Sequence, residues 1–145
     1  MNLDMLWQFL NMGKEYGMAK VKDAPDQNMK LSQICVFLLT DPDSSQVDIA
    51  DALGMTTATV ARYLQKLEEN HFVTRTADPQ NRRVNLVRLT EPGREYARRV
   101  LQAESEWKDY VSSRLTQDEN REFDRLCEKM LLGAQDALHS CRRGD

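Results

Sequence analysis

Six cations fall within residues 56–90 of this 145-residue chain: Arg62, Lys66, Arg75, Arg82, Arg83 and Arg88. Only three acids, Glu68, Glu69 and Asp78, share the stretch, leaving it +3. Cations gathered this way neutralise anions, phosphates above all. The chain as a whole carries −3, and residues 31–55 hold four acids with no Lys or Arg. A local patch, not the global sign, decides the attraction of a polyanion.

Other chemistries have little footing. The three cysteines, Cys35, Cys127 and Cys141, are widely spaced and form no Cys-x-x-Cys pair, which argues against a disulfide framework or a zinc knuckle. Cys35 and Cys127 sit within apolar patterns, as small core hydrophobes do; Cys141, beside a basic tail, is the most accessible. The two histidines, His71 and His139, lack metal-ligand spacing. No Ser/His/Asp set, carboxylate pair or phosphate loop is found. The expectation is therefore not an enzyme, with no cofactor and no metal. No 18-residue apolar run occurs, and Met1-Asn-Leu-Asp lacks a signal pattern, so a cytoplasmic protein without a membrane partner is expected. At 41% hydrophobic residues the chain can bury a core.

The elements that must position the basic stretch follow from periodicity. Leu3, Leu6, Trp7, Leu10, Gly13 and Gly17 repeat at helical spacing. The two glycines either let another helix approach closely or leave a loosely formed helix. Asp23–Asn28 reads as a linker around Pro25. Leu31–Leu39 is short and apolar, a strand or a helix by pattern; Ser32 as a cap and the turn residues Asp41-Pro-Asp-Ser-Ser favour a helix. Residues 46–53 form the next helix, capped by Ser44 or Ser45, with Val47, Ile49, Ala50 and Leu53 buried. Gly54 permits a tight turn, and Thr56 caps the helix Thr57–Asn70. There Val60, Leu64 and Leu67 share the inner face. Ala58, Arg62 and Gln65 lie opposite, flanked by Thr59, Ala61 and Lys66. Small and hydroxyl side chains near the N-terminus allow this helix deep into a groove of duplex DNA, while the cations reach phosphates or guanine edges. An ordinary polar helix face would look similar.

Phe72–Thr76 and Val84–Leu89 read as two strands, with Val87 and Leu89 inward. Asp78-Pro-Gln-Asn forms the turn and Arg82-Arg83 a doubly charged tip. Thr90-Glu-Pro-Gly opens a long helix with the stripe Ala97, Val100, Leu101, Trp107 and Val111. Leu115-Thr116 breaks it. Thr116-Gln-Asp-Glu is a capping box for a last helix with a wide apolar face, from Phe123 to Cys141. The tail Arg142-Arg-Gly-Asp should fray.

Leu53-Gly54, Leu67-Glu68 and the run Asp78-Pro-Gln-Asn-Arg-Arg-Val-Asn-Leu-Val-Arg-Leu-Thr-Glu-Pro-Gly93 carry a resemblance to MarR-type winged helix-turn-helix transcription factors. The family's wing signature, Asp-x-Arg-x-x-x-Val-x-Leu-Thr-x-x-Gly, is met by Arg83, Val87, Leu89, Thr90 and Gly93, with Asn81 in place of the Asp. The resemblance implies a mainly α fold (α+β) of about six helices with a two-stranded β-hairpin wing. Residues 1–145 would be one domain, with 1–30 and 91–145 as dimerisation helices and 31–90 as the DNA-binding winged helix-turn-helix. It implies a homodimeric regulator, a repressor, on a pseudo-palindromic double-stranded DNA operator. The expected contacts are Thr57, Ala58, Thr59, Ala61, Arg62 and Lys66 in the major groove, Arg83 in the minor groove and Arg82 on the neighbouring backbone. A small amphipathic or phenolic ligand would release the DNA. The alternative is a winged-helix protein-interaction module without an operator. Two departures bear on the wing. Asn81 cannot pair ionically with Arg83, so a looser tip is expected. His71 stands where the family has Gly, so Asn70 or His71 must adopt a left-handed backbone.

Overall fold

A computed structural model describes residues 1–23 and 28–143. Among these residues the order is α1 (Leu3–Lys20), α2 (Met29–Thr40), β1 (Ser44–Ser45), α3 (Gln46–Leu53), α4 (Thr57–Glu69), β2 (Val73–Ala77), β3 (Asn85–Leu89), α5 (Glu91–Ser112) and α6 (Gln117–Arg143). The centre of the expected linker, residues 24–27, and the final Gly-Asp lie outside the described residues. The chain divides into one unit spanning Met1–Trp107 and a second from Lys108 onward.

Short polar side chains start the helices by accepting otherwise orphaned N–H groups. Asn2 Oδ1 accepts from Met5 N, and Thr56 Oγ1 from Thr59 N. Ser45, not Ser44, caps α3, in a reciprocal box with Asp48. The residues 31–39 are helical as expected, but Ser32 is not the cap. Asn28 Oδ1 accepts from Lys30 N at 2.9 Å, so α2 starts two residues earlier than Leu31. Ser32 is instead buried, and its hydroxyl shares a 2.7 Å hydrogen bond with the Tyr96 hydroxyl. Each buried hydroxyl thereby satisfies the other.

Ile34 and Leu38 of α2, Ile49 of α3 and Val60, Leu64 and Leu67 of α4 pack into one core. Tyr96, Ala97 and Val100 of α5 close it from the other side. Cys35 is fully buried there, and burial pushes its thiol up to about 12. Val47, expected inside, is 55% exposed. It precedes Ile49 by two residues, a separation that turns it away from the inner face of a helix. Leu101 is likewise exposed.

The expected two-stranded wing is part of a three-stranded antiparallel sheet in the order β1-β3-β2. Ser44 pairs with Val87 and Ser45 with Leu86, so the residues before α3 lie along the wing's returning strand. Two residues give too little pattern to read as a strand. Val73 and Val87 face the core, as does Leu89, in the expected alternation.

The join between β2, β3 and α5 is the tightest point. Thr90 Oγ1 accepts from Gly93 N at 3.1 Å and donates to His71 O at 2.6 Å, and Thr90 N donates to Phe72 O. A Cβ on Gly93 would lie 2.9 Å from the Phe72 carbonyl carbon and closer still to its oxygen. Only glycine fits there. The left-handed residue after α4 is His71, at φ 61°, while Asn70 keeps φ −88°.

Two helices, α1 in the first unit and α6 in the second, carry exposed apolar residues. No residue of α1 is buried, and Leu3, Met5, Trp7, Leu10 and Met12 are exposed. In α6 the expected wide face is present and exposed, including Phe123, Leu126, Met130 and Leu138. Thr116 and Glu119 form the expected box at its start.

Gly93→Ala should lower unfolding free energy by about 3 kcal/mol in denaturant titration, because backbone must move to admit the methyl group. His71→Gly should raise it by about 0.5–1 kcal/mol, relief of left-handed strain exceeding the added chain entropy.

Candidate nucleic-acid interface

The basic segment is built on α3, a turn and α4. Gly54 turns the chain at φ 62°, and Gln46 Nε2 donates to Thr57 O at 2.9 Å, tying α3 to the first turn of α4. Of the site residues read from the sequence, Thr57, Ala58 and Arg62 are exposed; Thr59, Ala61 and Lys66 are half-buried on the flanks. This is the order the helical wheel gave. Thr59 also accepts a hydrogen bond from the Thr56 hydroxyl at 2.9 Å, so its side chain is oriented by the cap. The Arg62 guanidinium stands 5.3 Å from the Tyr63 ring centroid.

The wing tip is closed by its own backbone. Asp78 N donates to Val84 O, Asn81 N to Asp78 O and Val84 N to Asn81 O, at 2.8, 3.2 and 2.9 Å. Gln80 N donates to Asp78 Oδ1, and Arg83 N to Asn81 Oδ1 at 3.2 Å. Asn81 thus gives its side-chain oxygen to the loop, much as an Asp would, and supplies no counter-charge. The Arg82 and Arg83 side chains are exposed and make no ion pair with a described residue.

Two of the six cations are spent inside the fold. Arg75 Nε and Nη2 donate to the two oxygens of Glu68 at 2.8 and 2.6 Å, bracing β2 against the end of α4. These hydrogen bonds hold the Glu68 carboxyl below its ordinary value. Arg88 pairs with both oxygens of Asp43, which the hydrogen bonds likewise hold low. Asp43 lies in the turn before β1 at φ 61°. Sequence reasoning counted Arg75 and Arg88 with the basic patch; neither pairing has a local spacing that would announce it. Among the described residues no His/Cys/Asp/Glu group could hold a metal ion, and no helix is long and apolar enough to cross a membrane.

A helix-turn-helix whose second helix leads directly into a β-wing defines the winged helix-turn-helix class. Residues 36–84 match the family model described as MarR family. The chain is 29% identical over 92 residues to the uncharacterized HTH-type transcriptional regulator YdgJ of Bacillus subtilis (strain 168). That match covers 63% of this chain and 56% of YdgJ, so the chain aligns with little more than half of that relative's length. The crystal structure of Streptococcus pneumoniae FabT in complex with DNA has a TM-score of 0.82 at 18% identity, covering 92% of this chain and 94% of that one. The PcaV transcriptional regulator from Streptomyces coelicolor, in complex with its natural ligand, has a TM-score of 0.72 at 19% identity, covering 90% and 91%. At these identities the two structures establish a shared fold.

The Glu68–Arg75 brace should be visible in the pH dependence of stability. Glu68 titrates lower in the folded chain than its unfolded value of about 4.3, so its contribution is full above that value and is lost as pH falls through the folded one. Glu68→Gln should be about 1 kcal/mol less stable than the parent near neutral pH, with the gap closing as pH falls below the unfolded value. Urea titrations across that range read it.

Proposed function

We propose that the chain is a DNA-binding transcriptional regulator, a repressor that acts as a homodimer on a pseudo-palindromic operator. The observation that carries this reading is the pairing, on one unit, of an exposed small-residue N-terminal face on α4 with an exposed, unpaired Arg82-Arg83 tip. In this reading α4 enters the major groove. Thr57, Ala58, Thr59 and Ala61 allow close approach, and Arg62 and Lys66 reach base edges or phosphates. Arg83 enters the minor groove and Arg82 lies against the adjacent backbone. FabT, of like fold, was solved with DNA. The exposed apolar residues of α1 and of α6 favour a second copy as their cover, and a symmetric pair would set two half-sites about one helical turn apart. PcaV, also of like fold, was solved with its natural ligand. By analogy, a small amphipathic or phenolic ligand taken up beside α1 and α5 would release the DNA.

Operator duplexes selected from a random pool should be retained in gel shifts, with binding that falls steeply as salt rises. Arg62→Ala and Arg83→Ala should each lose about 1–3 kcal/mol of operator binding. If both bind the selected duplex as tightly as the parent, the helix-and-wing reading is wrong.

A further inference from the structure

Arg62 stands at the centre of the outer face of α4, and its polar neighbours on that face are largely committed. Gln65 Nε2 donates to Glu69 Oε1 at 3.1 Å. Thr59 Oγ1 accepts from the cap residue Thr56. The Arg62 side chain makes no hydrogen bond or ion pair with a described residue, and its guanidinium lies over the Tyr63 ring, 5.3 Å from the centroid. Successive helix residues point about 100° apart, so they touch only where a long side chain leans across. Tyr63 is half-buried and packs against the core of the unit. The fold therefore fixes the ring, and the ring holds the arginine. A guanidinium lying over an aromatic face keeps the N–H groups of its edge free.

We propose that Tyr63 is a positioning residue that presents Arg62 edge-on to a guanine in the major groove, so that each half-site holds one required G·C pair under the second turn of α4. The inference rests on the DNA-binding reading above and names the base that its central arginine takes. A loose arginine gives up much rotamer freedom when it binds. Stacking on Tyr63 restricts that freedom before DNA arrives, and the planar fork then meets guanine O6 and N7 together. At an A·T pair the adenine amino group replaces one of those acceptors, so a pre-set fork gains less there. Lys66 on the flank has no fork and suits a phosphate, as a point charge.

Duplexes selected from a random pool define the half-site, and quantitative gel shifts with the full chain then test each base pair in it. The pair read by Arg62 is the one whose replacement weakens the parent but not Arg62→Ala. That pair should be G·C, preferred by the parent over A·T by about tenfold or more. Tyr63→Leu, which keeps an apolar side chain against the core, should cut the preference by about three- to fivefold; Tyr63→Phe, which keeps the ring face, should retain it. In an Arg62→Ala background Tyr63→Leu should change nothing further, whereas a purely structural tyrosine would still weaken binding. The assignment is overturned if the pair is not G·C, if Tyr63→Leu discriminates as the parent does, if Tyr63→Phe loses as much as Tyr63→Leu, or if the loss persists without Arg62. An Arg62→Ala variant that weakens every duplex equally makes Arg62 a phosphate contact, which overturns the guanine assignment and leaves the DNA-binding reading standing. A parent that retains no duplex removes both.

Discussion

The close approach of α5 to the Phe72 carbonyl is the constraint on which the winged unit depends. Gly93 has no room for a side chain, and the Thr90 hydroxyl is used twice, once to start α5 and once to hold the His71 carbonyl. Phe72 N in turn donates to Leu67 O of α4, and the Phe72 ring stacks on Tyr96 at 4.7 Å. The end of α4, the first wing strand and the long helix are therefore fixed at one junction. His71 accepts a left-handed backbone to make this possible, a strain the surrounding hydrogen bonds override. The Thr-x-x-Gly part of the wing signature thus has a mechanical reason that involves no ligand.

Electrostatics are partitioned by the same architecture. Of the cations in the basic segment, Arg75 and Arg88 are turned to internal use, where bidentate geometry suits the planar guanidinium better than an ammonium. They fix the two wing strands, Arg75 against α4 and Arg88 against the turn before β1. What remains exposed is concentrated at the α4 surface and the wing tip. These few exposed cations sit in a chain whose net charge is −3. Regional charge counting found the segment, and the structure shows which members of it are available.

Much of this was legible in the chain. The α4 wheel placed each of its outer and flanking residues correctly because an amphipathic helix of three turns or more averages out local error. Thr56, Gly54 and Thr116 announced themselves because caps and left-handed turns accept few residue types. Val47 was misplaced by its own helix geometry; the other misses share one physical origin, the non-local partner. Ser32 looks like a cap until Tyr96, 64 residues away, is placed against its hydroxyl. Ser44 and Ser45 look like loop until β3 arrives to pair them. Arg75 looks like a phosphate ligand until Glu68 is folded beside it. Each is a short polar or charged side chain whose role is set by a neighbour that periodicity does not reveal.

The buried hydroxyl pair also ties α2 to the end of α4. Ser32 holds Tyr96; Tyr96 stacks on Phe72; Phe72 hydrogen-bonds the last turn of α4. Burial raises the Tyr96 hydroxyl, so it remains a neutral donor and acceptor across the physiological range. Cys35, sealed in the same core with its thiol raised to about 12, stays protonated and is no nucleophile there. A displacement of α2 would therefore act on packed, uncharged contacts and not on a titrating group.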